Sequence, residues 1–146
     1  MAAQRRAEVT WRGDLMSGDG RIESVGSGAI GGLDVTWASR SEEETGGKTS
    51  PEELLAAAHA ACLSMALSHG LAQSGHAPDE LRVSAESTFV PGTGITTMAL
   101  SLVGRVPGMD EDAFRAAAQN AKENCPVSGA LKGNVEITLD ARLESG

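Results

Sequence analysis

Residues 50–72 constrain this chain more than any other stretch. Ser50 can cap a helix, Pro51 fits the first helical position, and Glu53 completes an S-x-x-E capping box. Residues 54–72 are then apolar or small on nearly every side, with Leu54, Leu55, a run of alanines, Leu63, Met65 and Leu67. Such a helix has no face to give to water, so it is expected to be buried all round, between a sheet and another helix or another subunit. The apolar run is read as too short for the ~20 residues of a membrane span. Cys62 lies in its middle.

The flanking sequence supplies the sheets. Ala7, Val9 and Trp11 alternate with polar residues, residues 21–25 follow a Gly-Asp-Gly turn, and Leu33, Val35 and Trp37 alternate again. Residues 41–48 carry three consecutive glutamates and no apolar side chain, which reads as a loop. Beyond Gly75 and Pro78, residues 81–90 and 95–106 read as two long strands joined by Pro91-Gly92-Thr93-Gly94. Asp110 caps a second helix whose stripe is Phe114, Ala117, Ala118 and Ala121, and a short third helix can begin at Pro126. Val135, Ile137, Leu139, Ala141 and Leu143 mark a final strand. The order β-β-β-α-β-β-α-β describes one α+β domain over 1–146, with mostly antiparallel strands packed on helices.

Charge and cysteine usage narrow the function. A net charge of −8 leaves no concentrated basic face for phosphate, so nucleic acid is not an expected partner. Only 3% of the residues are aromatic, so the core is built from small side chains, and pairing of two chains would add buried area. The residues after Met1 are basic without a following apolar stretch, which does not match a secretory signal. A cytoplasmic location is expected, where two cysteines are more often reactive or metal-bound than a permanent bridge.

Cys125 precedes Pro126 and is expected at a helix N-cap, where free N–H groups lower a thiol pKa. Cys62, mid-helix among alanines, should have its pKa raised by burial. On these grounds alone Cys125 is the better nucleophile. A buried attacking thiol needs a fixed cation, because an ordinary one is only a few per cent thiolate near neutrality. Arg40, just before the acidic loop, is a candidate. Glu52 reads first as a carboxylate complementing the helix dipole. His59, one turn before Cys62 on the same face, reads as a packed interface histidine rather than a base. Nothing is assigned to His69, His76 or Ser64.

The segment SPEELLAAAHAACLSMAL (residues 50–67) closely resembles the signature around the first cysteine of the OsmC/Ohr family. AKENCPVSGAL (121–131) resembles the signature around the second. VPGMD (106–110), VEITLDARL (135–143) and the opening WRGDL (11–15) resemble family segments in the same order, and His59-Ala-Ala-Cys62 is similar to the OsmC branch. The resemblance implies a cysteine peroxidase that reduces organic hydroperoxides in stress defence. Cys62 would be the peroxidatic thiol and Cys125 the resolving one, closing a Cys62–Cys125 disulfide. Arg40 matches the arginine that stabilises the thiolate, and Glu52 the carboxylate that orients it. The family also implies sheets around a buried central helix in an intertwined homodimer. An external dithiol, lipoyl-type or thioredoxin-like, would be the reductant, with no cofactor and no metal.

Glu52 and Cys62 are ten residues apart, about 15 Å along a straight helix at ~1.5 Å per residue. Either the helix starts after Glu52 or bends, or Glu52 serves a partner subunit's cysteine; the partner is expected. Leu63, Met65 and Met98 are expected to favour an alkyl peroxide over hydrogen peroxide. Two alternatives are weaker. A metal site at Cys62, Cys125 and His59 or His69 lacks close ligand pairs. A non-catalytic binding or structural protein would not need both cysteines together with Arg40 and Glu52.

Overall fold

Glycine turns cut the first fifty residues into short strands. The computed structural model describes residues 2–144, and the chain divides into two compact units, Met1–Leu54 and Leu55–Gly146.

In the first unit β1 (Ala7–Arg12), β2 (Asp19–Val25) and β3 (Leu33–Val35) form an antiparallel sheet in that order. Trp11 lies opposite Gly20, where a Cβ would come within 2.6 Å of the indole, so glycine makes room for the ring. The alternation of β1 does not produce a buried face in this chain: Val9 is 56% and Trp11 40% exposed. The alternation expected to run through Trp37 stops at Val35. Thr36 instead caps a short helix, α1 (Trp37–Ser41), in a reciprocal capping box with Ser39. Arg40 is therefore in the last turn of a helix, and the acidic loop is residues 42–48. The buried Ser39 hydroxyl also donates to the Thr49 carbonyl, at 2.8 Å.

The long helix α2 (Pro51–Gln73) starts in the first unit and continues into the second. Ser50 Oγ accepts from the Glu53 N–H at 3.2 Å, while the Glu53 carboxylate accepts from the Thr49 hydroxyl at 2.9 Å. At the other end, the His76 N–H reaches the Leu71 carbonyl and the Gly75 N–H that of Ala72, a Schellman motif. It requires the positive φ of +85° at Gly75.

In the second unit β4 (Glu80–Val90) and β5 (Gly94–Arg105) form a long antiparallel hairpin. α3 (Glu111–Asn124), with Asp110 as its cap, and α4 (Pro126–Leu131) carry the chain across to β6 (Glu136–Leu143). β6 pairs with β5 in parallel, which requires such a crossover. The core joins Leu63, Leu67 and Leu71 of α2 to Met98, Leu100 and Leu102 of β5 and to Phe114, Ala118 and Ala121 of α3.

Two expectations about α2 need correction. It is not buried all round within one chain. His59, Leu63, Leu67 and Leu71 form a buried row at four-residue spacing, while Ala57, Ala58, Ala61 and Met65 are exposed, Met65 to 71%. One helix can give only one stripe to the core it packs on, whatever its other faces carry. Nor is it too short: its 23 residues are long and apolar enough to cross a bilayer. The capped first turn and the final turn add length that the apolar run alone lacks. Leu63, Leu67 and Leu71 are nevertheless sealed in the protein core.

Candidate active site

The end of α3 and the start of α4 share one residue. The Cys125 N–H closes the last bond of α3, at 2.8 Å to Ala121, and Cys125 is also the N-cap of α4, with Pro126 at the first helical position. The sequence pattern predicted this placement. Pro126 has no N–H, so the next donors, those of Val127 and Ser128, point back at the cap. Both favour charge on the Cys125 sulfur, and that of Val127 acts in the same sense on Cys62. The two thiols are near enough for each to shift the other's pKa. Both are free. Cys125 is sealed at 1% exposure, whereas Cys62 keeps part of its surface open.

Their environments pull the two sulfurs apart. Burial pushes the Cys62 thiol up, and the neighbouring Cys125 sulfur raises it further. Burial also opposes charge on Cys125. Donors from Cys62, the Ser128 N–H and hydroxyl and the Val127 N–H together outweigh it and leave Cys125 below the ordinary thiol range. Cys125 is thus the more acidic thiol of the two.

Behind them sits His59. It is fully buried, and its Nε2 lies 2.8 Å from the Ser128 hydroxyl oxygen. Its Nδ1 has no hydrogen-bond partner among the described residues. Burial lowers the imidazole pKa, so the ring is neutral. Ser128 belongs to the motif around Cys125, yet nothing in the sequence alone marked it. The available signal was its place three residues after an N-cap cysteine, where a side chain can reach back to the cap.

The other two candidate residues meet in the first unit. Arg40 Nε donates to Glu52 Oε1 at 2.8 Å, with the Glu52 side chain 6% exposed and that of Arg40 33%. Glu52 Oε2 is buried and has no hydrogen-bond partner among the described residues. α2 begins at Pro51, so the possibility that the helix starts after Glu52 is removed.

Leu63 and Met98, expected beside a substrate, are corrected by the structure. Both are fully buried in the core, because Leu63 lies on the sheet-facing row of α2 and Met98 on the inner face of β5. Ser64 donates to the Ala61 carbonyl one turn back, at 2.7 Å. Among the described residues no group of three or more His, Cys, Asp or Glu is placed to hold a metal ion.

Residues 44–140 match the family model described as OsmC-like protein. The chain is 40% identical over 148 aligned positions to the protein named Peroxiredoxin OsmC of Escherichia coli, covering 99% of this chain and 100% of that one. The solved structure of the organic hydroperoxide resistance protein OhrB of Bacillus subtilis superposes with a TM-score of 0.62 at 26% identity, covering 94% of this chain and 98% of that one. An OsmC structure from Legionella pneumophila gives 0.69 at 24% identity, over 97% and 99% of the two chains. The chain belongs to the OsmC/Ohr family, on its OsmC branch.

Proposed function

We propose that this protein is a thiol peroxidase that reduces organic hydroperoxides to alcohols, with Cys62 attacking and Cys125 resolving. The observation that carries the assignment is the pairing of a partly exposed sulfur with a sealed one near enough to shift its ionisation. A peroxide can approach only the exposed member. The sealed one is placed to meet the product of that approach and little else. The names of the Escherichia coli and Bacillus subtilis relatives agree with the chemistry.

The cycle balances in three steps. The Cys62 thiolate attacks the distal oxygen of ROOH, the O–O bond breaks, and the alkoxide takes a proton and leaves as ROH. Cys62 is then a sulfenic acid. The Cys125 sulfur attacks the Cys62 sulfur, the S–O bond breaks, and the hydroxide leaves as water with the thiol proton. The resulting disulfide is reduced by an external dithiol, lipoyl-type or thioredoxin-like, through thiol exchange. Arg40, held by Glu52, supplies positive charge to the Cys62 thiolate and to the departing oxygen. That charge offsets the burial that keeps the Cys62 proton in place.

The exposed small-residue face of α2 around Ala57, Ala61 and Met65 supports a homodimer, in which Arg40 and Glu52 serve the partner's cysteine. The compartment is the cytoplasm, where dithiol reductants are available. The test is turnover of cumene hydroperoxide against hydrogen peroxide with dihydrolipoamide as reductant. Faster turnover of the organic peroxide, abolished by Cys62→Ser and reduced at least tenfold by Arg40→Ala, is expected. Turnover surviving in Cys62→Ser, or a preference for hydrogen peroxide, would refute the assignment.

A further inference from the structure

We infer that the buried hydrogen bond between His59 and Ser128 is a clamp that seats α4, and with it Cys125, against the helix that carries Cys62. Both are positioning residues. They are buried out of reach of a peroxide, and they set how readily the two sulfurs join. The inference deepens the peroxidase assignment and rests on it for the resolving role of Cys125.

The bond completes a short series of fixed links between the cysteines. His59 stands three residues before Cys62 in α2, one turn back along the helix. Ser128 stands three residues after Cys125, in the first turn of α4, where the Gly129 N–H bonds the Cys125 carbonyl at 3.0 Å. His59 Nε2 and Ser128 Oγ are 2.8 Å apart. Each cysteine thus lies one helical turn from one end of the same bond, and that contact ties the two turns together.

α4 needs such a tie. Six residues are too few to make a helix stable by itself, and Gly129 weakens this one further. Ser128 is its buried residue, and Leu131 packs against the core while only partly buried. Ser128 also borders a cavity of about 170 Å³ whose walls include Lys122, Lys132, Val135 and Ile137, so close packing does not hold the helix on that side. The bond from the Cys125 N–H to Ala121 fixes the cap to α3, but not the direction in which α4 leaves it.

Histidine stands where packing alone would serve. The row that it heads continues with Leu63, Leu67 and Leu71, all sealed in the core. A fourth leucine would extend that row, whereas the imidazole buries two nitrogens and leaves Nδ1 without a partner among the described residues. A neutral ring carries one proton. A buried lone pair without a partner is tolerated better than a buried N–H, so the proton sits on Nε2 and is donated to Ser128 Oγ. What the polar pair adds is direction. Two apolar side chains can slide over each other, but a donor and an acceptor at 2.8 Å hold a distance and an angle. Disulfide closure is the step that depends on this, because a misplacement of about 1 Å can slow an intramolecular attack by up to ~100-fold.

The test reads the approach of the sulfurs without peroxide. Reduced protein is equilibrated with glutathione and glutathione disulfide, one disulfide oxidising Cys62 and Cys125 to their bridge and yielding two glutathione thiols. The equilibrium constant is the effective concentration of one cysteine for the other. It is expected to fall about tenfold in His59→Leu and in Ser128→Ala. The double variant falls no further, because both changes remove the same bond. It also replaces both polar partners by apolar groups, so its melting temperature stays close to that of wild type. His59→Gln, whose amide can donate in place of Nε2, retains most of the wild-type value. After a peroxide pulse, Ser128→Ala forms the Cys62 sulfenic acid as fast as wild type, while closure of the disulfide slows by a similar factor. Wild-type effective concentrations in both single variants, losses that multiply in the double variant, or no rescue by His59→Gln over His59→Leu would overturn the clamp. The expected fall in glutathione buffer, with no sulfenic acid in wild type, would support the clamp and refute the peroxidase assignment instead.

Discussion

Gly104 is the position where one added methyl group most directly tests the packing of α3 on β5. It lies in β5 opposite Leu81, beneath the fully buried ring of Phe114 from the first turn of α3. A Cβ at this residue would stand 2.6 Å from Phe114 Cε1, closer still to Cζ, and 3.1 Å from Leu81 Cδ2. Carbon atoms rest at about 3.5–4.0 Å, so the ring must retreat by roughly 1 Å or more. Its surroundings are core on every side, and overpacking of this kind costs about 1–3 kcal/mol. For a chain of this size that corresponds to a melting temperature lower by roughly 3–10 °C in Gly104→Ala. Phe114→Leu alone should cost about 1–2 kcal/mol through lost burial. It also vacates the space that the methyl group needs, so the double variant should be more stable than the sum of the single effects by about 1 kcal/mol. The assay is urea unfolding of all four proteins. Strict additivity, or a Gly104→Ala protein as stable as wild type, would refute the close approach of α3 to β5.

Acid stability reports on His59. Burial holds the imidazole pKa below 6.5, so on acidification the unfolded chain takes up a proton before the folded one does. The stability present above about pH 6.5 is therefore lost as pH falls toward the folded value. Denaturation midpoints between about pH 7.5 and 5.5 should fall more steeply in wild type than in His59→Gln; parallel slopes would contradict a neutral buried ring. On the other side of α2, Met65→Glu places a charge on the exposed apolar face. Sedimentation should show a dimer in wild type and a monomer in the variant, whereas a monomeric wild type would exclude the proposed assembly.

The sequence was most legible where local chemistry decides the outcome. Ser50 and Gly75 bound α2, Asp110 caps α3, and Cys125 stands at the N-cap before Pro126 because a proline there can only start a helix. The directions of the two thiol shifts match what position suggests, one mid-helix and one at a helix start, although each also acts on the other. Legibility failed where a pattern fixes a face but not a partner. Alternation in β6 marked its inner face, yet could not reveal that it runs parallel to β5. The same rule misled at Trp37, where a single threonine cap outweighs the continued alternation, and along α2, whose apolar surface exceeds what one sheet can cover. Arg40 was a candidate cation from its place before the acidic loop, but its pairing with Glu52 came only through the family resemblance, and their 2.8 Å contact is between residues twelve apart. The bond between His59 and Ser128 joins residues 69 positions apart. Neither contact could be read from spacing, because both depend on how helices are brought together.

The most direct test of the central claim is to find which sulfur carries the oxygen first. Wild type, Cys62→Ser and Cys125→Ser would each receive a brief, near-stoichiometric pulse of cumene hydroperoxide, followed by a sulfenic-acid trap and intact-mass measurement. Cys62 attack predicts an intramolecular disulfide in wild type, a trapped sulfenic acid on Cys62 in Cys125→Ser, and no oxidation in Cys62→Ser. A sulfenic acid on Cys125 in Cys62→Ser, with none on Cys62 in the reciprocal variant, would contradict it. The sealed, more acidic thiol would then be the true nucleophile.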